Sequence, residues 1–129
     1  MTTVLTVKQF LENTKSYIEK GWAQNHYSYD KDGFIVRPEM EDAVCWCIRG
    51  ALYRANFDAN ADPDMTNYPY SSLKSNPNAD SHAGAIAALA THLRKSDPFF
   101  SNLARWNDKP GRTKEEVVDL FQKAIDSLE

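Results

Sequence analysis

Two cysteines, three histidines and a polar run near the C-terminal end are the parts of this sequence from which chemistry could be built. Cys45-Trp46-Cys47 comes first. A nucleophilic thiol needs a base and a group that orients the base. Cys45, then His82 or His92, then Asn107 or Asp108 follows the chain order found in such sites. Order alone carries almost no information, because the partners meet only in the fold. A papain-like hydrolase also needs a sheet that this sequence does not show. On a helix the two thiols would lie roughly 200° apart, too far round to bond to each other. Cys47 then falls on the apolar face, where a small buried hydrophobe is the simpler reading. Metal chemistry has less support. The histidines His26, His82 and His92 are scattered, without the paired spacing of zinc sites. Asp58, Asn60 and Asp62 imitate the start of a calcium loop, but Pro63 stands where glycine is needed and Pro69 where glutamate is needed.

Binding is the other chemistry on offer. Trp46, Arg49 and Tyr53 share one face of an expected helix, and aromatic and arginine residues dominate binding hot spots. The competing reading is that the rest of the chain covers them. Arg105-Trp106-Asn107-Asp108-Lys109-Pro110-Gly111-Arg112-Thr113 is the densest polar constellation. Pro110-Gly111 suits the centre of a type II turn, and Asn107 and Asp108 suit bonds to nearby backbone. The run reads as a braced corner anchored by Trp106, or as a polar pocket in which Asn107, Asp108 and Arg112 meet a ligand.

The elements that must position these groups are mostly helical. Val7, Phe10, Leu11, Thr14 and Ile18 recur at helical spacing over residues 6–20, with Thr6 as N-cap and Gly21 as stop. Aromatic and β-branched residues around Asp30-Lys31-Asp32-Gly33 predict a hairpin over about residues 27–36. A second helix is expected over 39–56, with the acidic residues 39, 41 and 42 in its first turn and Val44, Cys47, Ile48, Ala51, Leu52 and Ala55 on its inner face. A third covers 81–95. Its small residues predict a central position, and Ile86, Leu89 and Leu93 form its apolar ridge. A short turn or helix follows through Phe99, Phe100, Leu103 and Trp106. The last helix, 113–128, opens on the capping box Thr113-x-x-Glu116. The expected architecture is a bundle of four main helices with a short inserted hairpin. It forms one domain over residues 1–129, with a long irregular loop at about 57–80 pinned by Tyr68, Tyr70 and Leu73.

Composition narrows the function classes. The 129 residues carry 15 Lys+Arg against 18 Asp+Glu and are 42% hydrophobic, enough to bury a core without disulfides. Charge is uneven: net +1 over residues 1–38, −4 over 39–80 and 0 over 81–129. The acidic balance argues against a nucleic-acid partner, which usually meets a basic face. No membrane span or secretory signal is visible, so the expected compartment is the cytoplasm.

Gly21-Trp22, then Val44-Cys45-Trp46-Cys47-Ile48-Arg49-Gly50-Ala51-Leu52, then Trp106-Asn107-Asp108 with Pro110-Gly111-Arg112-Thr113, Glu116-Val117-Val118 and Ala124-Ile125 carry a resemblance. They are similar to a family of bacterial and bacteriophage proteins classified as a domain of unknown function. Its pattern reads G-W … C-x-x-G-A-[IL] … [WF]-N-D-x-P-G-R-T-x-x-E-V … A. The resemblance spans about residues 6 to 126 and leaves 57–80 unmatched. It implies no catalytic residues. It implies a stand-alone cytosolic domain, compatible with a mobile-element origin, in which Gly50-Ala51 permits close packing. The expectation is therefore a small cytoplasmic, non-enzymatic binding or accessory protein, with neither cofactor nor metal. It would hold a protein partner or a small polar ligand through Trp46, Arg49 and Tyr53, or through Trp106, Asn107, Asp108 and Arg112. The alternatives are a small hydrolase or transferase using Cys45, His82 and Asn107, and a homo-oligomeric structural subunit.

Overall fold

Thr6 starts the first helix, α1 (Val7–Lys20), through a capping box: its hydroxyl accepts from the Gln9 N–H, and the Gln9 side chain accepts from the Thr6 N–H. Gly21 ends it, as its position predicts. The computed structural model describes residues 4–60, 77–97 and 102–128. Within these, α1 is followed by two short strands, β1 (Ser28–Tyr29) and β2 (Cys45–Trp46). Four further helices complete the order: α2 (Ile48–Asn60), α3 (Ala79–Ser96), α4 (Leu103–Asp108) and α5 (Lys114–Asp126). The fold is mostly α with an inserted hairpin, as expected.

The second helix does not start where its periodicity predicts. Residues 39–47 are not helical. Pro38 to Ala43 form turns, and β2 pairs antiparallel with β1 in the register Ser28↔Trp46 and Tyr29↔Cys45. Trp46 also bridges Trp22 on its other side, and Tyr29 bridges Ile35. The Asp30–Gly33 turn forms, with Gly33 at φ +84°. The hairpin strand therefore lies between Ile35 and β2. The physical reason is competition for backbone groups. Gly21, Tyr27 and Tyr29 offer carbonyls to the N–H groups of Trp46, Cys47 and Val44, and an aromatic side chain packs well on a pleated surface. Glu39, placed by periodicity in a helical first turn, is instead buried in an ion pair with Arg37 (2.6 Å).

At its other end α2 runs past residue 56 to Asn60, shortening the expected loop. Ala55 and Ala59 continue the buried face, and two i,i+4 pairs hold the added turn: Arg54 with Asp58 (3.1 Å) and Asn60 with Asn56 (2.9 Å). Asp58 and Asn60 thus belong to a helix. The loop residues Asp62, Pro63, Tyr68, Pro69, Tyr70 and Leu73, like Phe99 and Phe100, lie outside the described residues. Asn78 Nδ2 donates to Asn60 Oδ1 (2.8 Å), and Asn78 Oδ1 accepts from the Leu5 N–H. These bonds tie the end of α2, the start of α3 and the chain before α1.

Core geometry follows from bulk. α1 packs against α2, α3 and α5, and Phe10, Leu11, Thr14 and Ile18 are fully buried. The central rod is α1, not the expected α3. The small residues of α3 permit close approach but bring little apolar area, whereas hydrophobic stabilisation scales with area. Ala85, Leu89 and Leu93 face the core, and Ile86, expected on that ridge, is exposed. Val117, Leu120, Phe121, Ala124 and Ile125 supply the α5 face.

Candidate functional site

The Asn107 side chain is buried and fully engaged. Its Oδ1 accepts from Trp22 Nε1 (2.8 Å) and from the Ile48 N–H (3.1 Å) at the start of α2. Its Nδ2 donates to the Ala23 carbonyl (3.0 Å) and to Asp108 Oδ1 (2.9 Å). Asp108 Oδ1 also accepts from the N–H of Asn25 (2.8 Å), a residue at φ +77°; asparagine tolerates that region better than most residues. One amide thereby joins α4, the segment after α1 and the first turn of α2. Gln24 Nε2 adds bonds to the carbonyls of Asn107 and Lys109 (both 3.0 Å).

Arg112 completes the corner from the other side. The Arg112 N–H donates to the Lys109 carbonyl, and Gly111 sits at φ +86°, the geometry of a type II turn. The guanidinium stacks on Trp106 (4.0 Å to the ring centroid), donates through Nε to the Trp106 carbonyl (2.9 Å) and pairs with Glu116 (2.9 Å). Asp97 stands 3.9 Å away. The Arg112 side chain is only 7% exposed. The cleft beside it carries three carboxylates, Asp97, Glu116 and Asp119. Trp106, Asn107, Asp108 and Arg112 thus come together: the Asn107 amide and the Arg112 Nε and Nη1 bond to the protein itself, while the buried Arg112 Nη2 has no hydrogen-bond partner among the described residues.

The residues weighed for nucleophilic catalysis lie apart. Cys45, in β2, is half-buried, and among the described residues its thiol's hydrogen-bond partner is the Tyr29 carbonyl (4.0 Å). Burial is the main influence on its thiol pKa and pushes it up. Cys47 is buried and likewise raised by burial. His82 stacks on Phe10 (5.2 Å), and burial pushes its pKa down. His92 meets Ser127 (3.0 Å). Among the described residues no hydrogen bond joins a thiol to a histidine, and no group of three or more His, Cys, Asp or Glu could hold a metal ion.

Trp46, expected beside Arg49 and Tyr53, is not on their face. It sits in β2, 4% exposed, edge-on to Tyr17 (4.9 Å), with Nε1 donating to the Pro38 carbonyl (3.2 Å). Tyr27 takes its place. The Tyr27 and Tyr53 rings stack at 6.4 Å, and the Arg49 guanidinium lies 5.8 Å from the Tyr27 centroid. Gly50 makes this possible, since a Cβ there would overlap the Tyr27 carbonyl. Arg49 is exposed. Behind it lies a cleft of about 370 Å³ between α2, α3 and the start of α4. Leu52, Ile86 and Leu103 are its apolar lining, and Arg49, Tyr53, His82 and Asn102 its polar lining. Beyond Tyr27 the hairpin leaves Phe34 (69%) and Ile35 (60%) exposed. Spacing alone did not show Tyr27, Ile86 or Asn102 at this site. The available signal was Gly50, a glycine inside a helix, which marks a close backbone approach.

The chain matches the profile of DUF6197, a family of unknown function, over residues 2–127, and it belongs to that family. No curated protein and no solved structure matches it. No helix among the described residues is long and apolar enough to cross a membrane.

Proposed function

We propose that the protein is a non-enzymatic binding module of the cytosol whose contact site is the α2–α3 cleft and its Tyr27–Arg49–Tyr53 rim. One observation carries this reading: the two constellations rich in arginine and aromatics are used differently. At the Trp106–Arg112 corner most polar groups bond to the protein itself, and the cleft beside the guanidinium already supplies it with carboxylates. At the α2 rim an exposed guanidinium and two stacked tyrosines edge a cleft with an apolar lining. That composition is the one of binding hot spots and small-ligand pockets. The two unbridged thiols fit a reducing compartment. Placement of Cys45 against a carbonyl, without a base, supports binding over thiol catalysis.

A thermal-shift screen of nucleotides, metabolites and peptides tests the reading, because a ligand selective for the folded state raises its apparent stability. At least one compound is expected to raise the wild-type midpoint and to lose that effect in both Arg49→Ala and Tyr53→Ala. Hits indifferent to both substitutions would place binding elsewhere.

A further inference from the structure

The chemistry of the cleft narrows its ligand, given the binding reading just made. Among its described lining residues the one formal charge is Arg49, since burial holds His82 toward its neutral form. No described carboxylate lines the cleft, and none forms an ion pair with Arg49. That contrasts with Arg37, Arg54 and Arg112, each of which pairs with an acid on this chain. The other polar groups are the imidazole of His82, the Tyr53 hydroxyl and the Asn102 amide, whose Oδ1 already accepts from the Arg105 N–H (3.1 Å). The remaining lining, Leu52, Ile86 and Leu103, is aliphatic. A guanidinium grips a carboxylate through two parallel hydrogen bonds. A dianionic phosphate would call for more donors and more positive charge than one arginine supplies. The volume, at the low end for small-molecule sites, suits a compact body.

We propose that this cleft binds a small organic monocarboxylate with an apolar body, the carboxylate paired to Arg49 and the body seated on Leu52, Ile86 and Leu103. Arg49 then finds on the ligand the acid that no described residue gives it.

The test is a titration of the ¹⁵N-labelled full chain, followed by two-dimensional NMR, with phenylacetate, cinnamate and indole-3-carboxylate at up to millimolar concentrations. Phenylacetamide, acetate and phenyl phosphate are the comparison probes. At least one aromatic acid is expected to give saturable shifts centred on Arg49, Tyr53, His82 and Ile86. Its neutral amide, acetate and the Arg49→Gln variant should each weaken binding by about tenfold or more, the loss expected for a charge-assisted pair or an apolar body. The amide should bind wild type and Arg49→Gln alike. Equal affinity for acid and amide, or tighter binding of phenyl phosphate, would overturn the carboxylate assignment while leaving the cleft a binding site. Absence of saturable shifts in the cleft with all the acids would also overturn it. The thermal-shift screen then decides separately whether a different class of ligand uses the rim.

Discussion

Asn107 and Arg49 are polar residues with opposite employment. The Asn107 amide has both of its ends satisfied by protein groups in a buried position, where an unpaired partner would cost about 1–3 kcal/mol. Among the described residues Arg49 makes a loose contact with the Tyr27 ring, and it stays exposed. Cys45 belongs with the structural residues. Burial in β2 raises its thiol pKa, and no described cation or imidazole offsets that. Alkylation by iodoacetamide should therefore accelerate with pH without levelling off below pH 9, the ordinary value of the thiol. A plateau of fast reaction near neutral pH would reveal an activated nucleophile and revive thiol catalysis.

The elements are placed by close approaches as much as by periodicity. Gly50 lets α2 lie against the backbone of Tyr27, and Gly21 does the same for Val44. Replacing Gly50 by alanine gains about 1 kcal/mol of helix propensity. It also drives a methyl group into the Tyr27 carbonyl, which the Cys47 N–H holds in place, at a cost of roughly 1–3 kcal/mol or more. A net fall in the thermal midpoint of Gly50→Ala is expected, and an unchanged or raised midpoint would show that the contact relaxes. The capping box of α5 has a pH signature. The Thr113 backbone N–H, then Arg112 and the Thr113 hydroxyl, hold the Glu116 carboxyl below its ordinary 4.5. A depressed carboxyl stabilises the fold above its unfolded pKa and loses that contribution as pH falls through the folded value. The stability difference between wild type and Glu116→Gln should thus be constant above pH 5 and shrink below pH 4.5. A difference that persists into strong acid would rule out the charged cap as its source. Most of the helices, the Thr6 cap, the capping box of α5 and the Pro110-Gly111 turn were legible because each rests on local spacing and local chemistry. The start of α2 was not. Residues 44–47 fit the helical period as well as the strand, and only the carbonyls of Gly21, Tyr27 and Tyr29, brought in from elsewhere, decide between them. The same holds for the rim. Arg49 and Tyr53 are four residues apart on one helix and could be paired from the sequence, whereas Tyr27 reaches them only through tertiary packing.

Across the whole molecule, support and recognition are carried by different corners. The Trp106–Arg112 corner connects α4, α5, the segment after α1 and the first turn of α2, so it orients the helix that presents Arg49 and Tyr53. In this division of labour the polar block most suggestive of a pocket mainly ties elements together, while the cleft with an apolar lining is built from less conspicuous residues. It also makes mutational effects separable. Asn107→Ala leaves Trp22 Nε1, the Ile48 N–H and the Ala23 carbonyl without their partner, and the expected loss is on the order of 3 kcal/mol. Arg49→Ala removes an exposed side chain without a described ion pair, and surface changes of that kind stay within about 0.5 kcal/mol. Urea unfolding of these two variants beside the wild type is the most direct measurement. The division predicts a large destabilisation for Asn107→Ala and a wild-type curve for Arg49→Ala. A near-wild-type Asn107→Ala together with a strongly destabilised Arg49→Ala would contradict it.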